Sequence, residues 1–395
     1  MREANKCGEN KISEMSKKIG LVAVTNHNFG SILQTYALQC AVRSMGCDTQ
    51  IIQYSEGKSA KIRRFKNKEY AISRLKMIYK KVAMNILYPK QKHLLAERAE
   101  AFRRFIDNEL TFSKLCTSKG SLSKLSKNYD KIVLGSDQVW HPMNLLMDFF
   151  TLNFVPDSIM KGTYAPSFGV SEIPESYKSA YKAYINRIEH VSCREIAGVN
   201  LIKNLVGRDV PMVCDPTLLL AANDWEPCLS DKVKYNEKYV FCYFIGDNPN
   251  QRKVIQDYAK KHGYKIVALL HIDEYVESDE NYADYTPYNV GPAEFLYLVK
   301  NAEFVMTDSF HASVFSLQFH RNFYTFNRFE NGKGNSTSSR IDSLLGTVEL
   351  MDRKVKNGAT MTDLSEKPID YTKVDGVLAQ FRASSVEYLR SIIEA

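Results

Sequence analysis

A histidine follows a short apolar run in the second half of the chain, where the sequence predicts a strand that runs directly into a helix. Residues 304–306 suit a buried strand, and the polar residues 307–309 can cap the helix that begins at residue 310 or 311. His311 is then expected in the first helical turn, beside unpaired backbone N–H groups and the positive end of the helix dipole, where anions bind. Its imidazole is a candidate for proton transfer. The alternative is a histidine that only hydrogen-bonds a neighbouring loop.

A second group of polar residues follows the strand predicted at 129–134. Ser136, Asp137 and Gln138 offer a hydroxyl, a carboxylate and an amide in one loop. Trp140 could add a flat face on which a sugar ring stacks. The loop is therefore a candidate binding site for a polar ligand, and the alternative is a capped turn with Trp140 in the hydrophobic core.

The first elements of the chain form a βαβ pattern. A strand, a loop, a helix and a second strand are predicted in turn at 19–25, 26–31, 32–45 and 49–54. The loop carries Asn28 and Gly30 at the carboxyl end of its strand, where open α/β sheets bind ligands. Arg194 ends another predicted strand, at 190–194, and is expected at the same edge; the alternative is a surface or ion-paired arginine. The GxGxxG fingerprint is absent, so a dinucleotide is not indicated.

The alternation of strands and helices resumes in the second half of the chain. We therefore expect an α/β protein with two Rossmann-like βα domains facing a cleft. A chain of 395 residues exceeds what a single core usually supports. The predicted divisions are a flexible leader at 1–18, an N-terminal domain at 19–222 with a basic helical insertion at 58–104, a linker at 223–238, a C-terminal domain at 239–350, and a C-terminal segment and helix at 351–395 that could pack back on the N-terminal domain.

The composition is typical of a folded protein in water, with 44% hydrophobic and 25% charged residues. No apolar run approaches the ~18 residues that a membrane-spanning helix needs. The first 18 residues lack the apolar core of a signal peptide, so we expect a cytoplasmic protein. The eight cysteines include no CxxC pair and no spacing typical of a zinc site. Most of them are expected to be buried as small hydrophobic residues.

Positive charge is concentrated in residues 58–104, which contain 15 Lys and Arg against three Glu. This local excess is larger than the net charge of +8 for the whole chain. Apolar residues are interleaved with the basic ones, as in an amphipathic basic helix or helical hairpin. Such a surface could bind anionic lipid, a lipid-linked pyrophosphate glycan or nucleic acid. The alternative is a solvated face on a helical insertion.

Several stretches between residues 19 and 346 carry a family resemblance when they are taken together and in order. They are IGLVAVTNHNFGSILQTYALQ, DKIVLGSDQVW, YAPSFG, VSCRE, VCDPTLLL, EFVMTDSFHASVFS and SSRIDSLL. In these stretches the chain resembles the polysaccharide pyruvyl transferase family, especially its bacterial capsular and exopolysaccharide members. The resemblance implies a fold like that of two-domain GT-B glycosyltransferases. It also implies an enzyme that moves the pyruvyl group of phosphoenolpyruvate to a sugar as a ketal.

The resemblance implies roles for single residues as well. The family's functional histidine matches His311, and its arginine in a serine-x-arginine-glutamate stretch matches Arg194. Many members have an arginine two residues before the histidine, where this chain has Ser309. Arg340 and Arg328 are our candidates for the cation that meets phosphoenolpyruvate instead, together with the backbone N–H groups that begin at Ser309.

The chemistry of this reaction suits the same residues. Phosphoenolpyruvate carries a carboxylate and a phosphate, so its site needs two or more cations and N–H donors. Protonation of its methylene carbon by His311 gives an oxocarbenium-like centre that a sugar hydroxyl attacks. A second hydroxyl then displaces phosphate, with Asp137 as the base. Neither step needs a metal-bound nucleophile, so no metal and no cofactor are expected. The residues predicted to contact the sugar acceptor are Asn28, Gly30, Ser136, Gln138 and Trp140.

The expected partners are phosphoenolpyruvate and a sugar acceptor carried on polyprenyl pyrophosphate. Residues 58–104 are expected to make peripheral contact with the inner face of the cell membrane. The alternative enzyme is a GT-B glycosyltransferase that uses a nucleotide sugar, because that architecture serves both chemistries. No Gly-rich phosphate loop or paired Glu motif supports this alternative. Nucleic-acid binding is disfavoured because residues 58–104 lack regularly interleaved aromatic residues.

Overall fold

The computed structural model of the protein describes residues 16–57, 65, 71–72, 74–79, 82, 89–145, 148–272, 275–328, 335–365 and 367–395. These residues form two compact units. The first unit contains the described residues up to 74, together with 106–220 and 379–395. The second unit contains the described residues of 75–105 and 221–378.

The first unit is built on a parallel sheet of four strands in the order β2-β1-β3-β4. The strands are β1 (Lys18–Val22), β2 (Asp48–Ile51), β3 (Lys131–Leu134) and β4 (Met160–Thr163). The helices of this part of the chain are α1 (Phe29–Ser44), α2 (Pro89–Glu109), α3 (Lys119–Ser126), α4 (Pro142–Leu145), α5 (Glu175–Ile185) and α6 (Ile196–Val206). Of these, α2 belongs to the second unit up to residue 105. Residues 29–42 of α1 are buried on every side of the helix, as expected for a helix inside the core.

The second unit is built on a parallel sheet of five strands in the order β6-β5-β7-β8-β9. The strands are β5 (Tyr239–Tyr243), β6 (Lys265–Leu269), β7 (Phe304–Thr307), β8 (Asn322–Phe326) and β9 (Lys354–Val355). The helices are α7 (Pro249–His262), α8 (Pro292–Lys300), α9 (Phe310–Gln318), α10 (Asn335–Thr347) and the start of α11 (Tyr371–Glu394). The predicted α/β class, with strands and helices alternating around parallel sheets, is confirmed.

The described residues of 75–105 lie in a different unit from the one that the sequence predicted. They were expected in an insertion of the N-terminal domain, but the described ones belong to the second unit. There α2 approaches the start of α8 so closely that a Cβ atom on Gly291 would lie 2.9 Å from the backbone of Ala101. Much of the remaining insertion, and residues 1–15 of the predicted leader, lie outside the described residues. The boundaries predicted at 222, 238 and 350 stay predictions.

The C-terminal helix α11 ends inside the first unit. The ammonium groups of Lys17 and Lys131 donate hydrogen bonds to the carbonyl oxygens of Ile393 and Ile392, at 2.8 and 3.0 Å. Gly162 of β4 lies against the same helix, because an added Cβ there would come within 2.6 Å of the Ile392 side chain. The last turns of α11 therefore pack against the first sheet at β3 and β4.

The hydrophobic cores of both units match the sequence pattern. In the second unit, at least four consecutive residues are buried in each of the strands β5, β6, β7 and β8. The seven cysteines within the described part of the chain are free and buried, which confirms their expected role as small hydrophobic residues. One predicted strand is irregular: residues 190–194 are extended but make only isolated bridges, from His190 to Gly162 and from Cys193 to Met212.

Candidate active site

The start of α9 has the local structure that the sequence predicted. Strand β7 ends at Thr307, and Ser309 is the N-cap, with φ −89° and ψ 126°. The Ser309 Oγ accepts a hydrogen bond from the Ala312 N–H at 3.5 Å, and the Ser309 N–H donates to Thr307 Oγ1 at 3.0 Å. His311 is the second residue of the helix and is 7% exposed. Its ring meets that of Phe310 edge-on, with the centroids 5.2 Å apart.

Asp308 ties this helix start to the neighbouring strand β5. Its two carboxylate oxygens accept hydrogen bonds from the N–H groups of Ile245 and Gly246, each at 2.8 Å. The approach requires glycine at 246, because an added Cβ would lie 2.9 Å from Asp308 Oδ2 and 2.6 Å from the Arg328 carbonyl oxygen. The carboxyl ends of β5 and β7 are therefore held in one fixed arrangement.

Arg328 and Arg340, the two candidates for the cation that replaces the family's arginine at position 309, both lie at the start of α9. The Arg328 Nη2 group donates to the Asp308 carbonyl oxygen at 3.4 Å, and its Nε lies 3.9 Å from Asp308 Oδ2. The Arg340 guanidinium on α10 lies over the Phe310 ring, with Cζ 5.7 Å from the centroid. Arg340 is 6% exposed. The second unit thus brings His311, Ser309 and two cations together around the positive end of α9, an arrangement suited to an anion and to proton transfer beside it.

The first unit holds Asp137 in a strained backbone conformation. Its φ is 75°, in the left-handed region that residues other than glycine rarely adopt, and such strain is frequent at functional sites. Ser31 Oγ donates to Asp137 Oδ2 at 2.6 Å, and the Gln138 N–H donates to Asp137 Oδ1 at 2.9 Å. The Asp137 side chain is 18% exposed. It is therefore a positioned and partly accessible carboxylate.

Arg194 lies buried between two carboxylates of the first unit. Its Nη1 donates to Asp215 Oδ2 at 2.6 Å, and its Nη2 is 3.9 Å from Asp137 Oδ1. Burial opposes the charged guanidinium, but the charges of Asp215, Asp137 and Glu195 outweigh it and raise the pKa of Arg194. The ion-paired arginine that the sequence left open as an alternative is the arrangement found. Sequence reasoning did not single out Asp215, although an Asp-Pro-Thr stretch after a predicted strand could have signalled it.

Trp140 does not offer a face to a sugar, so this prediction is wrong. The side chain is 2% exposed and packs against Phe168 and Tyr184, at centroid distances of 5.3 and 5.7 Å. Its indole N–H donates to the Phe150 carbonyl oxygen at 3.3 Å. Trp140 belongs to the hydrophobic core of the first unit, which agrees with the alternative interpretation of this loop as a turn with Trp140 in the core.

The other predicted acceptor residues differ in their access to a ligand. Ser136 is fully buried and its hydroxyl donates to the Ala165 carbonyl oxygen at 2.7 Å, so this hydroxyl is not accessible to a ligand. Gly30 lies in the first turn of α1 and is buried, so the predicted loop ends earlier than expected. Asn28 is the exposed N-cap of that helix. Gln138 is partly buried, and its side chain lies within 2.3 Å of where a Cβ on Gly169 would be.

Comparisons with known proteins agree with the resemblance drawn from the motifs. A sequence model described as polysaccharide pyruvyl transferase matches residues 28–328, more than half of the chain. The chain belongs to the polysaccharide pyruvyl transferase family, and the protein is therefore a transferase. A search of curated proteins found no match.

Solved structures with similar folds are distant. The Staphylococcus aureus MnaA–UDP structure is 10% identical, with a TM-score of 0.47 over 94% of this chain and 91% of that one. The UDP-GlcNAc 2-epimerase of Methanocaldococcus jannaschii is 14% identical, with a TM-score of 0.47 over 92% of each chain. MurG of Acinetobacter baumannii is 8% identical, with a TM-score of 0.42 over 96% of this chain and 99% of that one. These likenesses are too distant to support a functional argument.

Two further findings concern membranes and metals. Among the described residues, no helix combines the length and the apolar character that crossing a membrane requires. Within the same residues, no group of three or more His, Cys, Asp or Glu is arranged to hold a metal ion.

Proposed function

We propose that the protein transfers the pyruvyl group of phosphoenolpyruvate to a sugar of a capsular or exopolysaccharide precursor, forming a cyclic ketal and releasing phosphate. The observation that carries the proposal is the start of α9 in a member of this family. There a helix N-terminus, His311, Arg328 and Arg340 come together. Phosphoenolpyruvate presents a carboxylate and a phosphate, and both are anions that guanidinium groups and a helix N-terminus bind.

The reaction balances with one proton donor and one base. The imidazolium of His311 gives a proton to the methylene carbon, which leaves C2 electron-poor, and a sugar hydroxyl oxygen bonds to C2. A second hydroxyl oxygen of the same sugar then bonds to C2, the C2–O bond to phosphate breaks, and phosphate leaves with the electron pair. The two hydroxyls release two protons: one restores His311 and the other leaves with phosphate. We propose Asp137 as the base that removes the proton of the second hydroxyl and passes it to the departing phosphate.

We propose that Arg194 takes part in binding phosphoenolpyruvate, as the sequence predicted, but with a smaller contribution than Arg328 and Arg340. Because its Nη1 is paired with Asp215 at 2.6 Å, its positive charge is already partly compensated. We therefore expect Arg328 and Arg340 to supply more of the attraction for phosphoenolpyruvate than Arg194. Replacing Arg194 with lysine should raise the KM for phosphoenolpyruvate while kcat changes little.

The proposed acceptor is a sugar on a polyprenyl pyrophosphate carrier at the inner face of the cell membrane. The described parts of residues 58–104 support a peripheral contact with that membrane. Residues 71–72, 74–79 and 82 are helical, and the apolar side chains among them are 50–75% exposed: Ile72, Leu75, Met77, Ile78, Tyr79 and Val82. Exposed apolar side chains within a strongly basic segment are typical of helices that bind anionic membranes.

The experiment that tests the proposed function measures phosphate release from phosphoenolpyruvate by the purified full-length protein. Lipid-linked acceptors that contain galactose, glucose or mannose are supplied in turn, and nucleotide sugars serve as alternative donors in parallel reactions. We expect acceptor-dependent phosphate release that falls about 10²–10⁴-fold in His311→Ala, because the proton donor to carbon is lost. The exposed His262 at the end of α7 provides the control, and His262→Ala should keep wild-type turnover.

Two results would contradict the proposal. If His311→Ala folds as the wild type does and keeps its turnover, the proton-donor role is wrong. If phosphoenolpyruvate yields no phosphate with any acceptor and a nucleotide sugar is consumed, the protein is a glycosyltransferase within this family.

A further inference from the structure

A cavity of about 410 Å³ opens beside the carboxyl end of β6 in the second unit. Its volume lies within the ~300–1,000 Å³ typical of small-molecule sites. Strand β6 ends at Leu269, and the lining residues Leu270 and His271 follow directly. The stretch 283–288 contributes further lining residues and runs parallel to β6 through a bridge between Tyr285 and Val267. Ligands of parallel α/β sheets bind at this kind of edge.

The imidazole of His271 is fixed at this cavity by a buried polar network. Its Nδ1 is 2.7 Å from Asp279 Oδ2, and its backbone N–H donates to the same oxygen at 3.0 Å. The other oxygen of Asp279 accepts two hydrogen bonds from the Arg252 guanidinium, at 2.6 and 3.2 Å. Arg252 is 3% exposed and lies over the Phe244 ring, with Cζ 4.6 Å from the centroid. A ring anchored in this way is preorganised to contact a ligand.

The charge around the cavity favours a neutral ligand over an anion. Arg252 and Asp279 compensate each other at 2.6 Å. None of the described residues that line the cavity is lysine or arginine, whereas Asp279 and Glu280 are acidic. A phosphate or diphosphate group would therefore meet no uncompensated fixed cation here, and Glu280 would repel it.

The remaining lining side chains suit a polyhydroxylated ring. The side chains of Glu280, Asn281 and Thr286 can give or take hydrogen bonds. His271 contributes the face of its ring, because its Nδ1 is bonded to Asp279 and its Nε2 is buried, and two tyrosines add aromatic faces. Tyr275 is 47% exposed and donates its hydroxyl proton to Glu280 at 2.8 Å. A site that combines flat aromatic faces with several uncharged hydrogen-bonding groups matches the alternating apolar faces and hydroxyl edges of a sugar.

This cavity is structurally linked to the start of α9. The Arg252 Nη2 group donates to the Gly246 carbonyl oxygen at 2.9 Å, and the Gly246 N–H donates to Asp308 at 2.8 Å. Strands β6 and β7 are the two neighbours of β5, so their carboxyl ends lie about 10 Å apart at the usual strand spacing. A sugar in the cavity would lie at the same edge of the same sheet as His311.

We propose that this cavity is a carbohydrate-binding site and that it holds a sugar residue of the acceptor, with His271 and Tyr275 as its principal contacts. The assignment to the acceptor rests on the proposed pyruvyl transfer, whereas the binding of a sugar does not. The sequence predicted acceptor contacts at Trp140 and Ser136 of the first unit, but both residues are buried. The cavity in the second unit would supply the sugar contacts that these two residues cannot make.

The test uses the full-length protein and methyl glycosides of galactose, glucose and mannose, with binding measured by saturation-transfer NMR. His271→Asn keeps an amide that can bond to Asp279 but removes the rest of the ring, and Tyr275→Ala removes an aromatic face at an exposed position. Each variant should weaken glycoside binding about twofold to tenfold or more. In the phosphate-release assay the acceptor KM should rise by a similar factor, while the KM for phosphoenolpyruvate stays unchanged. His262→Asn is the matched control, because His262 does not line the cavity.

The possible outcomes separate this inference from the proposed function. Glycoside binding that weakens in both variants, without any phosphate release by the wild type, would keep the sugar site and refute pyruvyl transfer. Phosphate release by the wild type with an unchanged acceptor KM in both variants would refute the sugar site alone. The sugar site is also wrong if no glycoside binds, or if the two variants lose binding of uridine diphosphate instead of glycoside.

Discussion

Arg194 shows why the type of a residue leaves its role open until its neighbours are known. At the end of a predicted strand, it could have been a ligand-binding cation or an ion-paired one. The structure supplies Asp215 at 2.6 Å and Asp137 at 3.9 Å, two partners that are distant from it along the sequence. No local sequence pattern encodes such a pairing, because it depends on how strands 20 to 60 residues apart along the chain are arranged.

The first prediction at the residue scale is that Arg194→Met strongly destabilises the protein. The substitution leaves the buried carboxylate of Asp215 without its ion-pair partner, and breaking a buried pair in this way costs about 3–5 kcal/mol of unfolding free energy. Urea denaturation measures the change. Arg103→Met removes an exposed pair with Glu100 and should change the unfolding free energy by no more than about 1 kcal/mol. Equal stability of the two variants would mean that the Arg194 pair does not stabilise the first unit.

The second residue-scale prediction concerns pH and His271. Burial alone would lower the pKa of His271, but the hydrogen bond and charge of Asp279 outweigh it and raise that pKa. A raised pKa stabilises the folded state fully below the ordinary value of about 6.5, and this contribution is lost as the pH rises through the raised value. The pKa of Asp279 is lowered by His271 and Arg252 against its burial, so that carboxylate stays ionised throughout this range.

The stability advantage of the wild type over His271→Asn should therefore be larger at pH 6 than at pH 9. Thermal unfolding of both proteins across this range measures the difference. An advantage that grows with pH would show that His271 is held in its neutral form, contrary to the expected sign.

At the scale of elements, the sequence predicted the start of α9 well because all of the information is local. A buried strand, a serine N-cap and apolar residues at helical spacing occur within fourteen consecutive residues. The cavity beside β6 was not predicted, since the stretch 270–288 that lines it forms the cavity only when it folds back along β6. Nothing in the spacing of His271 and Asp279, eight residues apart, signals their contact.

Gly246 provides the prediction at this scale. A methyl group at 246 would enter the space between Arg328 and Asp308, at 2.6 and 2.9 Å, so one of the two elements must move. Gly246→Ala should therefore lower the unfolding free energy by about 1–3 kcal/mol, and it should weaken phosphoenolpyruvate binding if Arg328 contributes to the donor site. The control is Gly346→Ala in α10, where an added Cβ has nothing within 4 Å.

The two glycine variants should change stability in opposite directions. Gly346→Ala should raise the unfolding free energy by about 0.4–1 kcal/mol, since alanine reduces the entropy of the unfolded chain and favours a helix. Chemical denaturation of both variants and isothermal titration with phosphoenolpyruvate provide the comparison. Wild-type stability and affinity in Gly246→Ala would show that the Asp308–Gly246 contact is not needed to hold Arg328.

At the scale of the whole molecule, the repeated strand and helix pattern was sufficient to predict two parallel sheets and the family. It was not sufficient to place the side chains that a ligand would meet. Trp140 follows a polar loop and could face a ligand or the core, and its contacts with Phe168 and Tyr184 in the folded unit place it in the core. Residues 75–105 were assigned to the first domain by their position along the chain, but the described ones belong to the second unit, where Ala101 lies against Gly291.

The charge distribution of the whole chain leads to the last prediction, which tests the proposed membrane contact. The excess of positive charge in residues 58–104 is larger than the net charge of +8 for the whole chain. Anionic vesicles should therefore bind the protein, and high salt should release it. Replacing Arg74, Lys76 and Lys92 with glutamate should weaken binding to vesicles of phosphatidylglycerol and phosphatidylcholine at least tenfold, because each basic residue near such a surface contributes about 1 kcal/mol. These three residues are exposed.

The control replaces Lys232, Lys234 and Lys238 with glutamate, which changes the net charge by the same amount at other exposed positions. Co-sedimentation with vesicles at low and high salt measures both variants. If the two triple variants lose binding equally, the attraction comes from total charge and residues 58–104 have no special role. If only the first loses binding, the basic segment supplies the contact. Insertion of its exposed apolar side chains, such as Leu75 and Ile78, into the membrane would make part of the binding resistant to salt. Replacing these two residues with serine would then test that part of the binding.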